Sequence, residues 1–246
     1  MDGILFRASG NWAHFRKPET NKSPLTHDFI TKTALLGLIG AVLGKERKSQ
    51  MCNLYPEWSQ NFLYSVQVES GQKQSHGFTL RDVFTPSSQA PKAFEILHKP
   101  SYIVALGARE AAKGALREFS YALQNDEALY TPLLGLHNCP AELELLSEAT
   151  IQESEGEYQT CGFVRRTAFQ MKSTNLKNFR VGVERIPTYQ NNEWWNPPQK
   201  PNENGEGESD NYAEVIYPLG GGTIAASGQH FIFIMPTGEN QTWCLI

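Results

Sequence analysis

Residues 61–69, Asn61-Phe62-Leu63-Tyr64-Ser65-Val66-Gln67-Val68-Glu69, alternate apolar and polar side chains. Successive side chains of a strand point to opposite faces, so this pattern predicts a strand with one face buried. Its neighbours decide the fold. Upstream, Ile4 to Ser9 is a short apolar run stopped by Gly10, a second strand. Between the two, Thr31 or Thr33 can cap a helix running to Leu43, and Gly44 stands where a left-handed C-terminal cap is wanted. Downstream, Ser101 to Leu106 predicts a strand and Ala108 to Leu123 a helix, with Arg109, Lys113 and Arg117 on one face. Leu143 to Ile151 reads as a further strand or a short helix. The order strand, helix, strand, strand, helix, strand is that of the ferredoxin-like (RRM-like) split βαβ unit, an α+β fold.

Residues 70–92 are polar, carry Gly71, Gly77, Pro86 and Pro91, and interrupt this order as a long excursion. The last ninety residues are β-rich, at Tyr158–Phe169, Phe179–Ile186, Tyr212–Tyr217, Thr223–Ala226 and Phe231–Met235. Asn191–Asp210, dense in Asn, Pro, Gly and Glu, reads as a flexible loop. The expected organisation is a core over 1–154 and a β-rich C-terminal lobe over 155–246.

The chain has 246 residues, 40% hydrophobic, with 20 glycines, which excludes a disordered chain and a disulfide scaffold. Cys52, Cys139, Cys161 and Cys244 are scattered and form no CxxC pair, so no zinc site and no other metal or cofactor is expected. The most apolar run, Ala34 to Leu43, is too short to cross a bilayer. With no secretory leader at Met1–Arg7, a cytoplasmic protein is expected.

Net charge is −4, from 22 basic and 26 acidic side chains. That total hides a split. Residues 1–130 carry 15 basic and 12 acidic side chains, and residues 131–246 carry 7 and 14. A phosphate backbone responds to the local field, not the total. In the basic half, Trp12, His14, Phe15, Arg16 and Lys17 interleave cations with aromatics, and single-stranded RNA recognition uses both. The alternative is that the aromatics are core and the cations solvated.

Gly37 and Gly40 inside the first helix imply close approach by a neighbouring backbone, as in tight helix–sheet packing, or by a phosphate. Gly220-Gly221-Gly222 lacks the helix and Lys-Ser/Thr of a phosphate loop and reads as a turn. Glu142, Glu144, Glu148, Glu153, Glu155 and Glu157 form a solvated face or a patch for a basic protein partner. His98-Lys99 could assist attack of a ribose 2′-hydroxyl on its phosphate, the imidazole as acid or base and the ammonium steadying charge. Otherwise it is a strand-edge pair before Pro100.

Trp12-Ala13-His14-Phe15-Arg16-Lys17, followed by Thr33-Ala34-Leu35-Leu36-Gly37-Leu38-Ile39-Gly40-Ala41-Val42-Leu43-Gly44, resembles the N-terminal signature of the "Cas five" family. These are RAMP-type subunits of type I CRISPR effector complexes (Cascade), and the closest look is to the type I-B branch. Tyr130 to Ala141 resembles the family's Y-P-x-x-L-G-x-x-x-C-P-A segment, and Val183-Glu184-Arg185-Ile186-Pro187 its E-R-hydrophobic-P strand. The resemblance implies a ferredoxin-like core with a β-hairpin thumb, here at about 70–92, and a β-rich C-terminal extension.

It further implies a non-catalytic subunit that grips the 5′ handle of the CRISPR RNA and caps the foot of the complex. There it would touch the backbone subunit and the large PAM-reading subunit, and meet target DNA through the complex. The candidate RNA contacts are then Asn11, His14, Phe15, Arg16, Lys17, Lys32, Lys45, Arg47, Lys73, Arg81 and Lys92. In the type I-C branch the family cuts precursor RNA without metal. His98 and Lys99, with Tyr55 or Tyr64, would carry that alternative here.

Overall fold

The computed structural model of the protein describes residues 1–17, 24–46, 55–69, 78–85, 88–171, 180–189 and 212–246, and over 78–94 the backbone alone. The expected flexible loop at 191–210 lies outside the described residues. The chain opens with β1 (Asp2–Ser9) and β2 (Trp12–Ala13), then α1 (Lys32–Val42), α2 (Pro56–Asn61) and β3 (Phe62–Val68). A hairpin of β4 (Phe78–Thr85) and β5 (Ser88–His98) precedes β6 (Ser101–Ala108), α3 (Lys113–Gln124) and the long β7 (Glu142–Thr160). The C-terminal part adds β8 (Val164–Arg165), β9 (Phe169–Gln170), β10 (Val181–Pro187), β11 (Tyr212–Pro218), β12 (Ile224–Ile234) and β13 (Asn240–Trp243).

The main sheet runs β13-β12-β7-β1-β6-β3, with β9 alongside β12. Four of its strands, β7-β1-β6-β3, are antiparallel throughout and reproduce the ferredoxin-like order of a βαββαβ chain path, with β1 and β6 at the centre of the four. The expected core with a hairpin insertion and a β-rich C-terminal extension is therefore present. The insertion, β4–β5, stands between β3 and β6 and makes a separate small sheet in the order β2-β5-β4.

Both faces of the main sheet are covered, and the residues of β1 show why. Ile4, Phe6 and Ala8 share the larger core with Leu35, Ile39 and Phe119 of the helices. Leu5 points the other way, against Ile151, Phe233 and Trp243. For β1 to meet β12 and β13 residues on one face, the sheet must curl. β7 produces the curl: its first half pairs β1, its second half pairs β12, and the β1 register shifts at Leu5/Phe6.

One consequence is that residue 154, the expected end of the core, lies inside β7, where Ser154 faces His230 of β12. The C-terminal strands extend the core sheet across that position. The segment at 143–151, readable as strand or short helix, is strand. A third sheet, β10-β11-β8, packs Phe163, Ile186 and Tyr217 into the same core as α1.

Helix α1 ends on Leu43 and then Gly44 at φ +64°, the left-handed cap expected of that glycine. The two internal glycines differ. A Cβ on Gly40 would sit 2.8 Å from Cζ of Tyr55, whereas one on Gly37 meets no described atom within 4 Å. A side chain thus makes the close approach at Gly40. In the free chain, Gly37→Ala should raise stability by about 1 kcal/mol. Gly40→Ala should lower it, because Tyr55 must leave its place over α2. Urea melts of the two variants that moved in the same direction would contradict this assignment.

Candidate nucleic-acid interface

The loop after β1 determines how the hairpin is held. Trp12 and Ala13 pair with His98 and Leu97, so the hairpin base is stitched to the N-terminal segment. Lys99 N–H donates to the Asn11 carbonyl (2.9 Å), and the Trp12 and His98 rings stack at 4.7 Å. Asn11, His98 and Lys99 are exposed there, with Lys99 at φ +50°. Arg16 is exposed further along, bridged to Thr26 across a two-stranded turn-back of 15–17 against 25–27.

The other members of the N-terminal block turn inward. Phe15 is 2% exposed, its ring 6.0 Å from that of Tyr102, so it is a core residue and offers no face for a base to stack on. His14 is equally buried; its Nδ1 lies 2.7 Å from the Glu95 carbonyl, and burial holds its pKa below the ordinary imidazole value. Lys17 is half-buried and pairs with Glu184 at 2.8 Å, so its charge is already met inside the chain.

Lys32 is buried at the start of α1, and Lys45 is exposed at the end of that helix. Arg47 and Lys73 lie outside the described residues. Arg81 and Lys92 lie on the hairpin, opposite Phe94 and Val83 respectively. Of the eleven candidates, then, Asn11, Arg16 and Lys45 face solvent among those with described side chains, and His14, Phe15, Lys17 and Lys32 do not.

What the buried members do is bring together segments far apart in sequence. His14 N–H donates to the Leu134 carbonyl (3.0 Å), and Leu134 is held in turn by Cys139 (2.7 Å). Gly135, at φ +95°, lies directly on the His14 backbone, where a Cβ would reach within 2.8 Å of its carbonyl carbon. Glu184 on β10 receives Lys17 and, at 2.8 Å, His27 Nδ1. Next to it the Tyr217 hydroxyl donates to the Asp28 carboxylate, and the Tyr102 hydroxyl to the Asp28 carbonyl at 3.2 Å. Burial and the Asp28 charge push both phenols well above their ordinary pKa.

The 12–17, 130–141 and 183–187 blocks therefore converge on one anchor, and the 33–44 block shares its core. Sequence reasoning named all four blocks but missed this anchor. The available signal was a charged residue, Glu184, two positions before the apolar Ile186 and so on the same face of a strand.

The residues named for catalysis sit in different surroundings. Tyr64 is wholly buried and its phenol is pushed far up by burial, so it cannot act as a surface acid or base. Tyr55 donates its hydroxyl to the Lys45 carbonyl (2.8 Å) and stacks on Trp58, while His98 stacks on Trp12. The acidic run lies along β7, with Glu144 bound to Arg7 and Glu148 accepting from Ser120 at 2.7 Å. Among the described residues no cluster could hold a metal ion. Nor is any described helix long and apolar enough to cross a membrane.

A family model described as CRISPR-associated protein (Cas_Cas5) matches residues 3–97, from β1 to the end of the hairpin. No curated protein sequence matches. Among solved structures, the chain is similar to one described as a CRISPR protein from Archaeoglobus fulgidus. Identity there is 11%, covering 98% of this chain and 99% of that one, with a TM-score of 0.54. Two others are described as a Cas protein (13% identity, 89% and 95% covered, TM-score 0.47) and as a CRISPR RNA-guided surveillance complex (12%, 88% and 90%, 0.47). At 11% identity the Archaeoglobus likeness speaks to the fold, and that fold is shared from end to end. Over the N-terminal block, α1 and the hairpin, the chain is similar to the CRISPR-associated Cas5 family, and over its whole length it shares the fold of a CRISPR protein.

Proposed function

We propose that the chain is a non-catalytic, RNA-binding subunit of a type I CRISPR effector complex (Cascade). In this reading it grips the 5′ handle of the CRISPR RNA, caps the foot of the complex beside the backbone and large subunits, and meets target DNA through them. The observation that carries the reading is the stitching of the hairpin to the N-terminal loop through β2 and β5. It joins the N-terminal loop that carries Asn11 to the extended backbone of the hairpin, and extended backbone flanked by cations suits tracking of a single strand. The hairpin stands where the family carries its thumb. A groove lined by Val42, Leu43, Tyr121 and Leu129, the last two well exposed, offers apolar area to a neighbouring subunit.

Replacing Arg16, Arg81 and Lys92 together with alanine should weaken binding of handle RNA by about tenfold or more at physiological salt. It should also flatten the dependence of log K on log salt by about 2, since each phosphate contact on a single strand contributes roughly 0.7. Unchanged affinity and slope would mean that the RNA lies elsewhere.

A further inference from the structure

Helices α1 and α3 both end at one groove of about 900 Å³. Val42 and Leu43 from the end of α1, Tyr121 and Ala122 of α3, and Leu129 line it. Leu129 and Tyr121 are 67% and 62% exposed. The backbone holds them there. The Leu129 and Tyr130 N–H groups donate to the Val42 and Ala41 carbonyls, each at 3.0 Å, which fixes this segment across the end of α1. Gly44, at φ +64°, lies directly under the Leu129 side chain, where a Cβ would come within 3.0 Å of Leu129 Cγ. Contiguous apolar area kept open in this way marks an interaction surface.

The charge around the groove has one sign. Glu118, Asp126 and Glu127 line it and are exposed, and among the described residues none of the three has an ion pair. The lining cation, Arg117, is already paired with Asp2 at 3.3 Å. A helix C-terminus carries a partial negative charge, which a basic side chain in the last turn offsets. Neither α1 nor α3 has one there. Lys45, beyond the end of α1, does not line the groove. Two helix ends and three carboxylates thus favour a cation supplied from outside.

The backbone around the groove is already bonded. The Tyr121 and Ala122 carbonyls accept from the Asn125 and Glu127 N–H groups (3.2 and 2.9 Å), and those of Ala41 and Val42 from the bonds above. An extended strand finds no edge to pair with here, so an occupant attaches through its side chains. Apolar anchors on one face with cations beside them describe a basic amphipathic helix. We propose that the groove receives such a helix from a neighbouring protein. Its apolar face lies on Tyr121 and Leu129, and its Lys or Arg side chains meet Glu118, Asp126 and Glu127. This deepens, and rests on, the reading of the chain as one subunit of an assembly.

The test titrates the full chain into a fluorescein-labelled amphipathic peptide of leucine and lysine, about four helical turns long, read by anisotropy. One saturable site is expected, weakening as salt rises. Leu129→Ala should weaken it by about tenfold, as loss of an apolar anchor does. Glu118→Gln with Glu127→Gln, both exposed, should weaken it about fivefold and flatten the salt dependence. Glu153→Gln with Glu155→Gln, exposed on the second half of β7, removes the same charge and should leave it unchanged.

Equal binding by the groove variants and the unaltered chain, or equal binding of a peptide with glutamate in place of lysine, would overturn the proposal. So would a dimer of the unaltered chain in sedimentation that Leu129→Ala dissolves, because a second copy would then fill the groove. Binding of handle RNA without binding of the peptide strikes the groove and leaves the RNA reading standing. Binding of the peptide without the RNA does the reverse.

Discussion

Glu184→Ala should lower the unfolding free energy by about 3 kcal/mol, the low end of what breaking a buried ion pair costs. Glu184 is 4% exposed and is the carboxylate that receives both Lys17 and His27, each at 2.8 Å. Its removal takes that acceptor from His27, 1% exposed, and the Glu184 carboxylate from the half-buried Lys17 ammonium. A buried group stripped of its partner forfeits its hydration in full. Because Glu184 joins β10 to the N-terminal turn-back, the loss also loosens the third sheet from the core. In a chain of this length the melting temperature should fall by roughly 10 °C. Glu184→Gln keeps an acceptor of the same shape and should cost visibly less. Thermal melts in which Glu184→Ala lies within 1 kcal/mol of the parent would show that the anchor is ornamental.

Gly135→Ala should be of similar size, also about 3 kcal/mol, for a different reason. Gly135 has φ +95°, a region that L side chains rarely adopt, and its Cβ would be driven into the His14 backbone rather than into a side chain that could swing away. Strained backbone of this kind and overpacking each cost on the order of 1–3 kcal/mol. Relief requires the 133–140 turn to part from residues 12–15, which opens the seat of Phe15 and Leu134, both in the main core. Gly37→Ala, open and helical, is the internal control. Equal stability of Gly135→Ala and the parent in denaturant titrations would mean that the two blocks do not meet.

The order of the ferredoxin-like core is legible in the sequence because each element advertises itself locally. The strands over 61–69 and 4–9 show their own periodicity, and Gly44 marks the end of α1. β7 is only half legible. The adjacent Leu145 and Leu146 break its alternation and fit a short helix as well, and its second half is strand because β12, some seventy residues on, pairs with it. A partner at that separation leaves no local trace, so the expected boundary at 154 lies within a strand. The interface is legible as a set of blocks but not as a set of contacts. Composition cannot say that His14, Phe15 and Lys17 face inward, since what turns them is Glu95, Tyr102 and Glu184, all far along the chain. Lys32 looks like any helix-flanking cation until the fold shows it buried.

The proposed role in gripping the 5′ handle has a direct test in the binding of the unaltered chain to two RNAs of equal length, one carrying the repeat-derived handle and one with its bases scrambled. Tighter binding of the handle RNA by about tenfold or more, with both affinities falling steeply as salt rises, is the predicted result. Equal and weak binding of both RNAs, insensitive to salt, would contradict it.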